Sequence, residues 1–198
     1  MKPLAVTLRV IHDPHTGERR DALDQRWYGL LQQAGFLPVL LPNQLSPAQA
    51  LLQLVPVCGL LLTGGNSLLS CEGDAPERDA LEMALLAWAE AEHKPILGVC
   101  RGMQMLMHSC GESAQRVTGH VCAQQEIQIH ERRRVVNSYH QWGHTRASDD
   151  WRIWARADDG VIKAVQHTRL PWWGLMWHPE RLEPFAPEDI ALLQEIFR

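Results

Sequence analysis

The chain has 198 residues, 45% of them hydrophobic and 21% charged, which is enough length and apolar content for one sizeable core, and we read residues 1–198 as a single domain. The 23 acidic and 19 basic side chains leave a formal charge of −4, which gives neither nucleic acid nor an anionic membrane an electrostatic footprint, so the expected partner is a small molecule. The five cysteines, at 58, 71, 100, 110 and 122, form no CxxC pair and so suggest neither a disulfide framework nor a zinc site; reduced thiols in a cytoplasm fit this better.

The N-terminal apolar stretch is too short for a signal core, and no run approaches the roughly 20 apolar residues of a membrane span, so a soluble, unprocessed chain is expected. Apolar runs with β-branched residues alternate with segments of helical period, the pattern of an α/β fold around a mainly parallel sheet. Leu4–Leu8 reads as the first buried strand. A helix is expected from Arg20 to Ala34, with Leu23, Trp27, Leu30, Leu31 and Ala34 on one face and Gly35 as its stop. Leu37–Leu41 is the second strand. Ser46-Pro47 reads as N-cap and first position of a short helix to Leu54, and Val57–Leu62 as a strand running into Thr63-Gly64-Gly65.

A loop over 66–76 precedes a helix from Glu77 to Glu92, with Leu81, Leu85 and Trp88 inward. Ile96–Val99 is a short apolar strand and Arg101–Cys110 a helix closed by Gly111, with Met103, Leu106, Met107 and Cys110 on one face. From Glu112 to His144 the helical period disappears, and a short antiparallel excursion is expected. Trp151–Ala155, Val161–Gln166 and Trp172–Trp177 read as three further strands and Pro187–Phe197 as the terminal helix.

The stretch Pro95-Ile-Leu-Gly-Val-Cys-Arg-Gly-Met-Gln turns a strand directly into a helix with Cys100 at the corner, a nucleophile elbow. Gly98 and Gly102 avoid collision between strand and helix in such a turn. The helix N-terminus favours a thiolate, and its free N–H groups can receive an oxyanion: Arg101 N–H is one donor, and a glycine of Gly64-Gly65 the second. A cysteine beside an apolar strand is ordinarily a packing residue; the strand and helix on either side favour the nucleophile here, and the other four cysteines lack that context.

A thiolate nucleophile needs a proton shuttle for the leaving amine. His178 in Trp-His-Pro-Glu is the candidate: Pro179 holds it extended, so that Glu180 projects to the same side and orients the imidazole. His140 and His144 stand four apart but lack a third ligand, so no metal is expected. Arg132-Arg133-Arg134 reads as a solvated hairpin rim. Trp27 and Trp88 fit core faces; Trp142, Trp172 and Trp177 lie near motif residues, as core packing or as pocket wall.

With these residues in hand, the chain resembles the class I glutamine amidotransferase-like superfamily and, within it, the γ-glutamyl-γ-aminobutyrate hydrolase (peptidase C26-like) family. The resemblance spans nearly the whole length and rests on LLTGGN at 61–66, PERD at 76–79, GVCRGMQ at 98–104, VNSYHQWG at 136–143 and MWHPE at 176–180. It implies a flavodoxin-like three-layer fold with helices on both faces, a triad of Cys100, His178 and Glu180, a γ-glutamyl thioester and no cofactor. It also implies that Gly65 and Arg101 form the oxyanion pair, that Gln104 binds the glutamyl group, and that Asn137, Ser138 and His140 cover it. The loop from Ser67 to Ala75 lacks the family's proline-tyrosine run, so the leaving-group side departs from the pattern. The compact length, RRDALDQRW at 19–27 and the WHPER ending are similar to the γ-glutamyl-CDP-amidate hydrolase branch, in which Arg20 or the Arg132–Arg134 run would meet an anionic leaving group.

The small-molecule partner is thus a γ-glutamyl conjugate, with a homodimer or a partner synthase as the assemblies left open. A glutaminase subunit passing ammonia to a synthase would carry the same triad. An α/β-hydrolase fits less well, because that fold places its acid before the histidine in the chain. A non-catalytic binding relative would ordinarily have lost part of the triad, and all three residues are present.

Overall fold

The computed structural model describes residues 1–198. β1 (Lys2–Thr7) leads into a hairpin of β2 (Arg9–His12) and β3 (Arg19–Ala22), then α1 (Arg26–Ala34), β4 (Phe36–Leu41), α2 (Leu45–Leu54) and β5 (Leu60–Leu62). After α3 (Pro76–Ala91) come β6 (Ile96–Val99) and α4 (Arg101–Ser109). β7 (Gln115–Arg116), β8 (Val121–Ile129), β9 (Arg132–Tyr139), β10 (Trp142–Gly143), β11 (Trp151–Ala157), β12 (Ile162–His167) and β13 (Trp172–Leu175) follow, and α5 (Pro187–Ile196) is the last helix.

Nine strands form one sheet in the order β4-β1-β5-β6-β13-β12-β11-β8-β9. The first five are parallel and the remaining four add antiparallel. Strands covered on both faces read as unbroken apolar runs, which is why β5 is Leu-Leu-Leu. Alternate side chains enter opposite cores: Leu4, Val6, Leu61, Leu97 and Val99 one, Ala5, Leu60, Leu62 and Ile96 the other. α1 and α5 close the first with Trp27, Leu30, Leu31, Leu193 and Ile196; α3 and α4 close the second with Leu81, Leu85, Met103 and Leu106. This is the three-layer α/β arrangement expected. No helix is long and apolar enough to cross a membrane.

Several boundaries differ from expectation. The helix expected from Arg20 begins only at Arg26, because Arg19–Ala22 pairs with Arg9–His12 instead. Two aspartates enforce the change: Asp21 accepts from the Asn43 backbone and side-chain amides, and Asp24 accepts the Arg26 N–H at 3.1 Å just ahead of α1. Ser46 is not an N-cap, since α2 already starts at Leu45 without a side-chain cap. The strand expected over Val57–Leu62 shrinks to Leu60–Leu62, and that over Trp172–Trp177 ends at Leu175. The short excursion is a long β8–β9 hairpin on the edge of the main sheet, accompanied by a small β7–β10 pair. Trp172 and Trp177 are buried in the two cores, and each also lines a cleft that does not contain Cys100.

β5, β6 and β13 are adjacent and parallel, so their C-terminal ends deliver Thr63-Gly64-Gly65, Cys100 and the segment leading to His178 to one place. In an open α/β sheet that edge is where ligands bind.

Candidate active site

Cys100 takes φ +54° and ψ −103° between β6 and α4. A residue with a Cβ holds such a conformation at a cost of about 1–3 kcal/mol, and only where its surroundings over-determine it. Here Cys100 N donates to Leu175 O at 2.6 Å, and Cys100 O accepts from Gln104 N at 3.1 Å. The flanking glycines are required by close approach: a Cβ on Gly98 would lie 2.4 Å from the Gly102 carbonyl carbon, and one on Gly102 would lie 2.2 Å from Leu62 O.

His178 and Glu180 are both buried, and His178 Nδ1 lies 2.7 Å from Glu180 Oε1, so the carboxylate fixes the ring and leaves Nε2 for the thiol. His178 is extended as expected, but Glu180 follows in a 3₁₀ turn over Pro179–Arg181 rather than in a strand. Burial alone would raise the Cys100 pKa; the charge of His178, its hydrogen bond and the Arg101 backbone N–H together hold it below the ordinary thiol value. Burial would likewise depress His178, yet the Cys100 charge and the hydrogen bonds to Cys100 and Glu180 raise it to about 9. Both shifts favour the thiolate–imidazolium form of the pair over the neutral one. Burial raises the thiols of Cys58, Cys71 and Cys110 instead, and all five cysteines are free.

Gly64 forms the opposite wall; a Cβ there would sit 2.6 Å from His178 Cε1 and 3.6 Å from Cys100 Cβ. Gly65 has φ +84°. Beneath both lies Arg78, the arginine of PERD and fully buried. Its Nη1 donates to Gly65 O at 2.6 Å and Gly64 O at 3.2 Å, its Nη2 to Thr63 O at 2.6 Å, and its Nε to Glu82 at 2.9 Å. In trans peptides the N–H points opposite to the C=O, so carbonyls turned toward Arg78 direct the N–H groups of Gly64, Gly65 and Asn66 away from it. Glu82 also accepts from Arg101 and from Thr7 Oγ1, and Asp79 takes the other Arg101 nitrogen. One buried ion network thus ties the glycine loop to the first residue of α4. Nothing in the spacing of PERD announces this role.

The other expected site residues gather nearby, with most of their polar groups committed to the protein. Asn137 Oδ1 accepts from His178 N, and its Nδ2 donates to His178 O, each at 2.8 Å. Ser138 Oγ donates to His120 O at 2.9 Å and accepts from Lys163 Nζ at 2.9 Å. His140 Nδ1 donates to Trp142 O at 2.9 Å, and its Nε2 accepts from Lys163 Nζ at 2.8 Å; burial, with Lys163 beside it, lowers its pKa to about 3 and keeps it neutral. Gln104 Nε2 donates to the same Trp142 carbonyl at 2.8 Å. Asn137 thus braces His178, while Gln104, Ser138 and His140 brace the segment from β9 to β10; the resemblance's reading of them as binding and covering the glutamyl group concerns a bound substrate.

The arginines picked out for an anionic leaving group lie elsewhere. Arg20 pairs with Glu18 on the exposed hairpin, Arg133 with Glu126, and Arg134 with Asp189 at 2.7 Å. Arg132–Arg134 border a different cleft, with Trp154 and Trp177. The arginines beside His178 are Arg9, which carried no sequence signal, and Arg181, the last residue of WHPER.

The cysteine at a strand–helix elbow, with His178 and Glu180 just beyond the adjacent parallel strand, sits on the class I glutamine amidotransferase fold. The whole chain superposes on a putative GMP synthase subunit from Thermoplasma acidophilum with a TM-score of 0.73 at 16% identity, covering 93% of that chain. The chain belongs to the peptidase C26 family, which matches residues 5–180. It is 30% identical over 204 residues to γ-glutamyl-γ-aminobutyrate hydrolase of Escherichia coli O157:H7, spanning 83% of this chain and 80% of that one. It is 27% identical over 206 residues to γ-glutamyl-CDP-amidate hydrolase of Campylobacter jejuni, spanning 98% and 96%.

Proposed function

We propose that this enzyme hydrolyses a γ-glutamyl amide through a γ-glutamyl thioester on Cys100, and that its substrate is γ-glutamyl-CDP-amidate. The observation that carries the chemistry is Cys100 held in a strained elbow next to a histidine that Glu180 orients, with both pKa shifts in the direction of a thiolate and an imidazolium. In acylation, Cys100 Sγ attacks the γ-carbonyl carbon, and the carbonyl oxygen takes the negative charge against the N–H groups of Arg101 and Gly65. The C–N bond then breaks as His178 gives its proton to the leaving nitrogen. In deacylation, His178 takes one proton from water, the resulting hydroxide adds to the thioester, and the C–S bond breaks to restore the Cys100 thiolate beside the imidazolium; the γ-carboxylic acid so formed gives its proton to solvent and leaves as glutamate. Neither step calls for ATP, a metal or a cofactor.

The choice of leaving group is supported by the near end-to-end similarity to the Campylobacter enzyme, which extends over more of both chains than the similarity to the γ-aminobutyrate hydrolase. Purified protein alone, given γ-glutamyl-CDP-amidate, γ-glutamyl-γ-aminobutyrate and glutamine in parallel, should prefer the first by about a hundredfold in kcat/KM, equivalent to about 2.7 kcal/mol. Glutamine turning over best, and only with a synthase added, would replace this reading with that of an ammonia-donating subunit.

A further inference from the structure

The thiolate and its N–H donors account for the acyl half of an amide. Because His178 hands its proton to the leaving nitrogen, that nitrogen must stand against the imidazole. Whatever it carries then extends into the cleft that His178 shares with Arg9, Arg181, Gly64, Gly65 and Asp24. The charges of this cleft do not balance locally. Asp24 is committed to Arg26 through contacts of 3.0 and 2.6 Å, and Glu180 to His178 at 2.7 Å. Arg9 has no carboxylate within ion-pair distance and lies across Gly65, its Nε 3.0 Å from where a Cβ on that glycine would stand. The Arg181 Nε is buried without a hydrogen-bond partner, and its nearest carboxylate oxygen, Glu180 Oε1, is 3.5 Å away. The Arg181 guanidinium rests over the Tyr139 ring at 5.0 Å, a ring that itself packs edge-on to His178.

Arg9 has no ion pair, and the one that Arg181 has is with a Glu180 carboxylate already bound to His178, so the cleft keeps an excess of positive potential, and the planar forks of the two guanidinium groups match the oxygens of a carboxylate or a phosphoryl group. We infer that Arg9 and Arg181 form the receptor for an anionic group on the leaving amine, and that they set which γ-glutamyl conjugate the enzyme accepts. The inference rests on the proposal that Cys100 accepts the acyl group of a γ-glutamyl amide.

Its test has two arms. In the first, wild type, Arg9→Gln and Arg181→Gln are compared on γ-glutamyl conjugates whose amine carries a phosphoryl group, a carboxylate or no charge, with circular dichroism confirming that each variant is folded. Each substitution should lower the ratio of kcat/KM for anionic over uncharged conjugate about tenfold or more. The anion whose ratio falls further identifies the natural leaving group. In the second arm, binding of inorganic pyrophosphate and of succinate to the Cys100→Ala protein is measured by calorimetry, with and without the arginine substitutions. At least one of the probes should bind, and its Kd should rise about tenfold or more when either arginine is replaced. An unchanged kcat/KM ratio, or binding indifferent to both arginines, overturns the receptor. Arginine-dependent binding without turnover of any γ-glutamyl compound instead overturns the acyl-transfer reading and leaves the receptor standing.

Discussion

Asn137 grips both main-chain polar groups of His178: Oδ1 accepts from His178 N and Nδ2 donates to His178 O, each at 2.8 Å. A side chain on the edge strand β9 therefore sets where the imidazole stands relative to Cys100. Asn137→Ala should lower kcat about 10–100-fold with KM little changed, because misplacing a proton donor by a fraction of an ångström slows chemistry more than binding. It should also move the alkaline limb of the pH–rate profile, which a purely structural asparagine would leave in place while changing only the melting temperature. Unchanged kcat and pH profile would remove Asn137 from this role.

The second prediction follows from the charge state of Cys100 and His178. The thiol is held below its ordinary pKa and the imidazole is raised to about 9, so the proposed mechanism starts from the thiolate beside the imidazolium. Above about pH 9 the imidazolium loses its proton and can no longer protonate the leaving nitrogen, while the thiolate persists. Turnover should fall through that limb, whereas alkylation of Cys100 by iodoacetamide should not. Both should fall in acid as the thiolate is protonated, and Cys58, Cys71 and Cys110 should alkylate later than Cys100. Turnover that keeps rising through about pH 9 would contradict the ion pair.

Arg78 provides the third prediction, since it holds the Thr63, Gly64 and Gly65 carbonyls and so turns the following N–H groups to the opposite side of the glycine loop. A lysine keeps the charge but cannot reach three carbonyls and Glu82 together. Arg78→Lys should lower kcat about 10²–10³-fold, the size of effect seen when an oxyanion donor is lost. The rate of Cys100 alkylation should stay within a few-fold of wild type, because alkylation develops no oxyanion. If both rates collapse together in a folded variant, Arg78 serves the thiolate rather than the glycine loop.

How much of this was legible in the sequence depended on how local the cause was. The bounds of β6 and the start of α4 could be read directly, because Gly98, Cys100 and Gly102 describe one turn and its clashes. The pairing of His178 with Glu180 could be anticipated for the same reason, the two being separated by a single proline. The Asn137 clamp spans 41 residues and the Arg78 bonds 13 to 15, and no periodicity encodes such contacts. The misread start of α1 has a similar origin: Leu23 continues the apolar period backward, while the partner that turns Arg19–Ala22 into a strand lies beyond a turn, at Arg9–His12. Arg9 gave no signal, and Arg181 gave one only as the last residue of WHPER, because what the two face together is set by the fold that brings them to one cleft beside His178.

Central to this mechanism is a covalent bond between Cys100 and the γ-glutamyl group, and mass spectrometry of rapidly quenched enzyme tests it most directly. Mixed with γ-glutamyl-CDP-amidate or another conjugate that turns over, quenched in acid within the first turnovers and digested, the protein should carry a γ-glutamyl adduct on the peptide containing Cys100. The adduct should be absent from Cys100→Ala, which should also be inactive. Steady turnover by Cys100→Ala, or an adduct that maps to another residue while Cys100 stays unmodified, would contradict the mechanism.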